Sequence, residues 1–187
     1  MIHKNYDPKD LNELYSKGVY DYLCSDNFKV VYEHVCDKFI LNNSDSVLDI
    51  GCWNGMFYKS LQGAGYNGSY LGLDLCEDAL KDASKKYGKK NTKFLNHDWN
   101  GEPLKDKFDA IYCGGVLCFI KDRLGFIEGY IESYSPEIIA IQDLQQTDLS
   151  CFDKKFEVET REFYIDINVN EAYKERMGKR QVKIIKL

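Results

Sequence analysis

The chain has 187 residues, 44% of them hydrophobic, the size of a single enzyme domain with a substantial core. Its 25 basic and 30 acidic residues leave a net charge of −5, which disfavours a nucleic-acid partner. Seven cysteines without a Cys-x-x-Cys pair argue against a disulfide framework or a zinc site, and the lack of a long apolar run or a signal-peptide core predicts a soluble, cytoplasmic protein with no membrane partner.

In residues 1–45, Leu11, Leu14 and Tyr15 fall at helical spacing, and Val31, Val35 and Phe39 do so again, predicting two helices before the first strand. Tyr15, Tyr20 and Tyr22 either line a ligand pocket or pack as rings on a sheet. Val47, Leu48 and Ile50 then read as a short strand buried on both faces, and Gly51 and Gly55 bracket a tight turn into a helix carrying Phe57 and Leu61. The free amides at that helix start point into the turn, the arrangement that holds nucleotide-like ligands. A carboxylate just ahead of such a turn would repel phosphates, so Asp49, two residues before Gly51, suits a cationic group better.

Ser69–Asp74 is a second strand closed by an acid, followed by a helix with Glu77 and Asp78 in its first turn, Lys85 and Lys86 in its last and Gly88 as its stop. Asp74 either helps cap that helix or accepts from paired ribose hydroxyls, a role that would serve a nicotinamide cofactor equally well. Thr92–Trp99 is a third strand, with His97 a loop histidine at its end, and Phe108–Cys113 is a fourth that runs into Gly114 and Gly115. Glu137–Gln142 is the fifth. Asp143 beyond it is either a general base facing the ligand crevice of an open α/β sheet or a solvated loop acid. Phe156–Ile167 and Gln181–Leu187 alternate as an antiparallel pair, joined by a polar segment, 168–180, that can loop over the site. The basic residues of this region, Lys174, Arg176, Lys179, Arg180, Lys183 and Lys186, are interspersed with Glu171 and Glu175 and read as a solvated face.

The run Asp49-Ile50-Gly51-Cys52-Trp53-Asn54-Gly55 resembles the first motif of the class I methyltransferases that use S-adenosylmethionine: an acid, any residue, a glycine and a short glycine-containing turn. Many members carry a further glycine where this chain has Trp53, so the indole must point away from the cofactor or shape the substrate side. The resemblance implies an α/β three-layer sandwich, with a seven-stranded, mostly parallel sheet, its last strand antiparallel, and helices on both faces. Residues 46–187 would form the methyltransferase domain and 1–45 a helical cap of the same domain. S-adenosylmethionine is the implied cofactor and S-adenosylhomocysteine its product. Asp49 would then lie near the ammonium of the methionine part, Asp74 on the ribose, and Asp98 and Trp99 on the adenine. Gly51, Cys52, Asn54, Gly55, Leu75, Cys113 and Gly114 would complete the cofactor site.

Where many small-molecule members carry a histidine or acid, this chain has the apolar ring of Phe119, so Tyr15, Tyr20 and Phe119 are expected to shape the substrate pocket and Asp143 to act as the base. Some members hold magnesium between acids after the fourth and fifth strands; Cys113 stands at the first of those positions, and no metal is expected. The expected reaction is methyl transfer to an oxygen or nitrogen of a small polar metabolite, such as a sugar or a nucleotide-linked intermediate, by a monomer or homodimer. Two other readings stay open. A nicotinamide-dependent oxidoreductase has Asp49 and the lack of a Gly-x-Gly-x-x-Gly turn against it; a non-catalytic domain would bind S-adenosylmethionine or a partner protein.

Overall fold

The computed structural model describes residues 8–98, 102–165 and 178–187. Its strands are β1 (Ser46–Ile50), β2 (Ser69–Asp74), β3 (Thr92–Asn96), β4 (Ala110–Gly114), β5 (Ile138–Leu144), β6 (Val158–Tyr164) and β7 (Lys179–Lys186). They form one sheet in the order β3-β2-β1-β4-β5-β7-β6, parallel from β3 to β5. β7 enters antiparallel to both of its neighbours, β5 and β6. The helices are α1 (Pro8–Ser16), α2 (Asp26–Leu41), α3 (Met56–Gly63), α4 (Glu77–Tyr87), α5 (Arg123–Tyr134) and α6 (Ser150–Lys155), with a short 3-10 helix at Asp21–Cys24. Among the described residues no helix is long and apolar enough to cross a membrane.

The apolar run of β1 is explained by its place at the middle of the sheet, covered on both faces. Val47 belongs to a core with Phe28, Val35 and Phe39 of α2 and Phe57 and Leu61 of α3. Leu48 and Ile50 turn to the other face and pack with Ile111, Ile139, Ile127 of α5 and Phe152 of α6. Asp49, between them, shares the α2 and α3 face with Val47. The chain runs outward from β1 through β2 to β3, then returns to β4 and continues the other way. That reversal opens a crevice beyond the carboxyl ends of β1 and β4, the place where open α/β sheets bind ligands.

Local signals explain the helix ends. Ser25 caps α2, its hydroxyl oxygen accepting from the Phe28 amide at 3.2 Å, and Gly88 ends α4 as anticipated. α4 also receives an outside cap: the Asn12 side-chain oxygen accepts from the Asp78 amide at 3.2 Å, which docks α1 onto the start of that helix.

Two strand bounds need correction, and one helix was not expected. β4 begins at Ala110 because Asp109 is spent on tying the start of β1, its carboxylate accepting from the amides of Asp45 and Ser46 at 2.9 and 2.8 Å. β5 extends to Leu144 and takes Asp143 into the ladder opposite Gln181, so this acid is not in a loop. Residues between β5 and β6 form α6, held by the fully buried Phe152. The supposed solvated face of basic residues also fails in part. Arg180 and Lys183 are buried, and Lys183 pairs with Asp153 at 2.6 Å while donating to the Thr160 hydroxyl at 3.0 Å. Lys174 and Arg176, with most of the polar segment 168–180, lie outside the described residues.

Candidate active site

A cavity of about 740 Å³ occupies the crevice, within the size range of small-molecule sites. The turn after β1 supplies one wall. Gly51 takes φ +79°, and its amide and that of Cys52 donate to the Leu73 carbonyl at 2.8 and 3.0 Å, folding the turn back against β2. A Cβ at Gly51 would stand 2.5 Å from a Val116 methyl and 3.1 Å from the Gly114 carbonyl, so glycine is required by packing as well as by dihedral. Gly55, at φ +81°, begins α3 and fits beneath Tyr87 and Phe94; it does not line the cavity.

Asp49 lines this wall with no solvent exposure. Its Oδ2 accepts a short hydrogen bond from the Tyr70 hydroxyl, and its Oδ1 has no partner among the described residues. Burial pushes the carboxyl up to about 8, with the Tyr70 hydrogen bond acting in the opposite direction and the charge of Asp74 adding to the rise. A cation placed beside Oδ1 would restore the charged form.

Asp74 closes β2 and organises the turn from the other side. Its Oδ2 accepts from the Trp53 amide at 2.8 Å and its Oδ1 from the Cys76 amide at 2.9 Å, each oxygen keeping a further lone pair for a ligand. Burial raises its pKa and those amides oppose the rise. Both roles weighed from sequence, helix start and ligand acceptor, are therefore compatible in this one side chain.

Trp53, the residue that replaces a glycine, sits at φ +48° and lines the cavity. The rings of Tyr15 and Tyr20 meet its indole edge-on, each at 5.2 Å between centroids. Trp53 thus ties the N-terminal segment to the turn. Leu11, Leu14, Tyr20, Tyr22 and Leu23 from that segment line the cavity, whereas Tyr15 does not: its hydroxyl donates to Asp82 at 2.5 Å and helps hold α1 on α4.

The third wall comes from β4 and β5. Gly114, Gly115 and Phe119 line it, and the Gly115 amide donates to the Gln142 carbonyl at 2.8 Å. Asp143 is fully buried in this wall. Its Oδ2 accepts from the Cys118 amide at 2.9 Å, and its Oδ1 from the Leu144 amide at 2.7 Å and the Thr147 hydroxyl at 3.0 Å. Burial lifts its pKa against those three donors and the positive charge of Arg180. The carboxylate holds the loop after β4 in place, and the residue lines the same cavity.

Of the cofactor residues read from sequence, Asp49, Gly51, Cys52, Asn54, Asp74 and Gly114 line the cavity. Gly55, Leu75, Cys113 and the exposed Asp98 do not, and Trp99 lies outside the described residues. Two polar groups of the wall were missed. Arg180 from β7 is 3% exposed, and Gln142 lies inside β5. A lone glutamine at the end of the apolar run Ile138–Ile141 was a legible signal; Arg180 among alternating charges gave none.

Residues 48–130, from β1 into α5, match the family model described as a methyltransferase domain. The malonyl-(acyl-carrier protein) O-methyltransferase 2 of Ilyobacter polytropus is 27% identical over 134 residues, covering 68% of this chain and 50% of that protein. The ubiquinone biosynthesis O-methyltransferase of Hydrogenovibrio crunogenus is 25% identical over 144 residues, covering 72% of this chain and 59% of that protein. The chain spans about half the length of the curated relatives it matches. Among solved structures, the magnesium protoporphyrin IX methyltransferase of Synechocystis with bound S-adenosylmethionine superposes with a TM-score of 0.67 at 15% identity, covering 100% of both chains. Residues 48–130 thus match a methyltransferase domain, and the chain shares the Rossmann-like fold of the superposed methyltransferase structure.

Proposed function

We propose that the chain is an S-adenosylmethionine-dependent methyltransferase that acts on an oxygen or nitrogen of a small polar acceptor. The observation that carries this reading is Asp49, a fully buried carboxyl group with one oxygen unpartnered among the described residues, beside a glycine turn in a ligand-sized cavity. Such an oxygen is costly to bury unless a ligand donor or cation meets it. In this reading Asp49 receives the ammonium of the methionine part, Asp74 the ribose hydroxyls, and Gly51 lets the backbone approach closely. Bound there, S-adenosylmethionine supplies a methyl group already activated on sulfur. The protein's remaining tasks are to align the acceptor and exclude water, for which the N-terminal segment and Phe119 provide apolar walls. Asp143 is the carboxylate we assign to proton acceptance from a hydroxyl acceptor; its raised pKa makes it a stronger base than an exposed acid.

Calorimetric titration with S-adenosylmethionine and S-adenosylhomocysteine tests the reading. The wild type should bind both, and Asp49→Asn and Asp74→Asn should each weaken binding by about tenfold or more, the loss expected for a hydrogen bond to a charged group. A folded wild type that binds neither compound overturns it.

A further inference from the structure

Arg180 is a buried charge to which the reading above gives no work. Its guanidinium donates from Nη2 to the Tyr22 hydroxyl at 2.9 Å and lies over the rings of Tyr22 and Phe28, 5.4 and 5.5 Å from their centres. Among the described residues it makes no ion pair, and its Nε has no hydrogen-bond partner. An arginine does not lose its proton inside a protein, so this cation stays in a wall that holds it with aromatic faces and one hydroxyl. Its charge is felt by the buried Asp143, but among the described residues no acid pairs with it directly, and a buried charge so weakly compensated is unfavourable for folding, which makes a structural reason for it weak.

Its neighbour has the same character. Gln142 accepts from the Tyr112 hydroxyl at 3.3 Å, while its side-chain nitrogen has no partner among the described residues. Arg180 stands opposite Leu144 and Gln142 opposite Val182, so the two are diagonal neighbours on one face of the sheet. Asp143, opposite Gln181, points to the other face and is held by three donors already. Asp49 shares the face of Gln142 and Arg180 but lies three strands from β7, about 14 Å at normal strand spacing. The cavity is therefore polarised. Among the described residues, unpartnered acceptors, Asp49 Oδ1 and Asn54 Oδ1, stand at the β1 turn, and unpartnered donors, Arg180 Nε and the Gln142 amide, stand at β7 and β5.

We infer that Arg180, with Gln142 beside it, anchors an anionic oxygen group of the methyl acceptor, a carboxylate or a phosphate. The inference rests on the methyltransferase reading for the word acceptor, and it narrows the small polar metabolite to an anion. The fork of guanidinium N–H groups matches the paired oxygens of either group, and the aromatic faces keep it oriented before the ligand arrives.

The test uses the whole chain saturated with S-adenosylhomocysteine and titrated with benzoate, phenyl phosphate and neutral benzamide. The wild type should bind at least one anion about tenfold or more tighter than benzamide, and the tighter anion identifies the source. Arg180→Met should lose that preference while keeping its affinity for S-adenosylhomocysteine and a cooperative melting transition, which shows that it is folded. Arg180→Lys, which keeps the charge without the fork, should fall between them. Equal binding of anions and amide by the saturated wild type overturns the inference, as does an Arg180→Met protein that retains the preference. Loss of S-adenosylhomocysteine affinity in Arg180→Met also overturns it, because Arg180 would then serve the cofactor's own carboxylate. Repeating the titration without S-adenosylhomocysteine separates the two readings: anion preference in a protein that binds no cofactor supports the anchor and removes the methyltransferase alone.

Discussion

Asp49 links the site to the stability of the whole protein through its proton. In the unfolded chain it titrates near the usual value of about 4, whereas burial lifts it to about 8 in the folded state. Between those values the folded protein holds a proton that the unfolded chain has released. The stabilisation is fully present below about pH 4 and is lost as pH rises through about 8. Asp74 and Asp143 shift in the same direction and reinforce the trend. The melting temperature of the ligand-free protein should fall between about pH 5.5 and 8.5, and Asp49→Asn should flatten most of that fall. A wild-type melting temperature that rises across this window would mean that Asp49 is already charged. The glycines give a second contrast at this scale. Gly51→Ala combines a left-handed backbone with an approach of 2.5 Å to a Val116 methyl and should cost about 2–4 kcal/mol. Gly115→Ala, at φ +69° with nothing within 4 Å of the new carbon, should cost about 1 kcal/mol, and chemical denaturation of the two variants resolves the difference.

At the scale of elements, the strands from β1 to β5 were legible because parallel strands covered on both faces are continuous apolar runs, and Asp49 within β1 and Asp74 at the end of β2 stand out against them. β7 was legible as a strand but not as a wall of the site. Its alternation of charged and apolar residues is the same whether the charged positions face water, an ion-pair partner or a cavity, and only tertiary placement separates Arg180 from Lys186. Tyr15 and Tyr20 illustrate the same limit: both are tyrosines of the N-terminal segment, yet one bonds to α4 and the other lines the cavity. The β7 charges support a prediction about the pair Lys183–Asp153. Lys183 is buried, while the Asp153 side chain is half-exposed. Asp153→Asn leaves a buried ammonium without its counter-charge and should destabilise by about 2–4 kcal/mol; Lys183→Met returns a carboxylate to water and should cost about 1 kcal/mol or less. Equal losses in urea denaturation would show that the ion pair, and not the burial of one partner, sets the energy.

For the molecule as a whole, the division between sheet and N-terminal segment decides how the cavity is closed. α2 completes the core over the sheet through Phe28, Val31, Val35 and Phe39, all without solvent exposure. Among the described residues, the segment before α2 adds no fully buried side chain; it attaches through Asn12 and Tyr15 to α4 and through Tyr15 and Tyr20 to Trp53, and it lines the cavity. Segments that bury little apolar surface open at lower free energy than the core. A chain beginning at Ser25 should therefore still fold cooperatively, with amide exchange in β1, β4 and β5 close to that of the full chain. Its affinity for S-adenosylhomocysteine should drop by about tenfold or more, because the walls from Leu11 to Leu23 that exclude water are gone. In the full chain, Trp53→Ala should reproduce part of this effect: faster exchange of residues 8–24, weaker binding and a nearly unchanged melting temperature, since an edge-on pair of aromatic rings contributes only about 0.5–1.5 kcal/mol. A shortened chain that binds as tightly as the full one would assign α1 to packing alone and leave the turn after β1 as the whole cofactor site. A shortened chain that fails to fold would instead make the segment part of the core, which its exposure argues against.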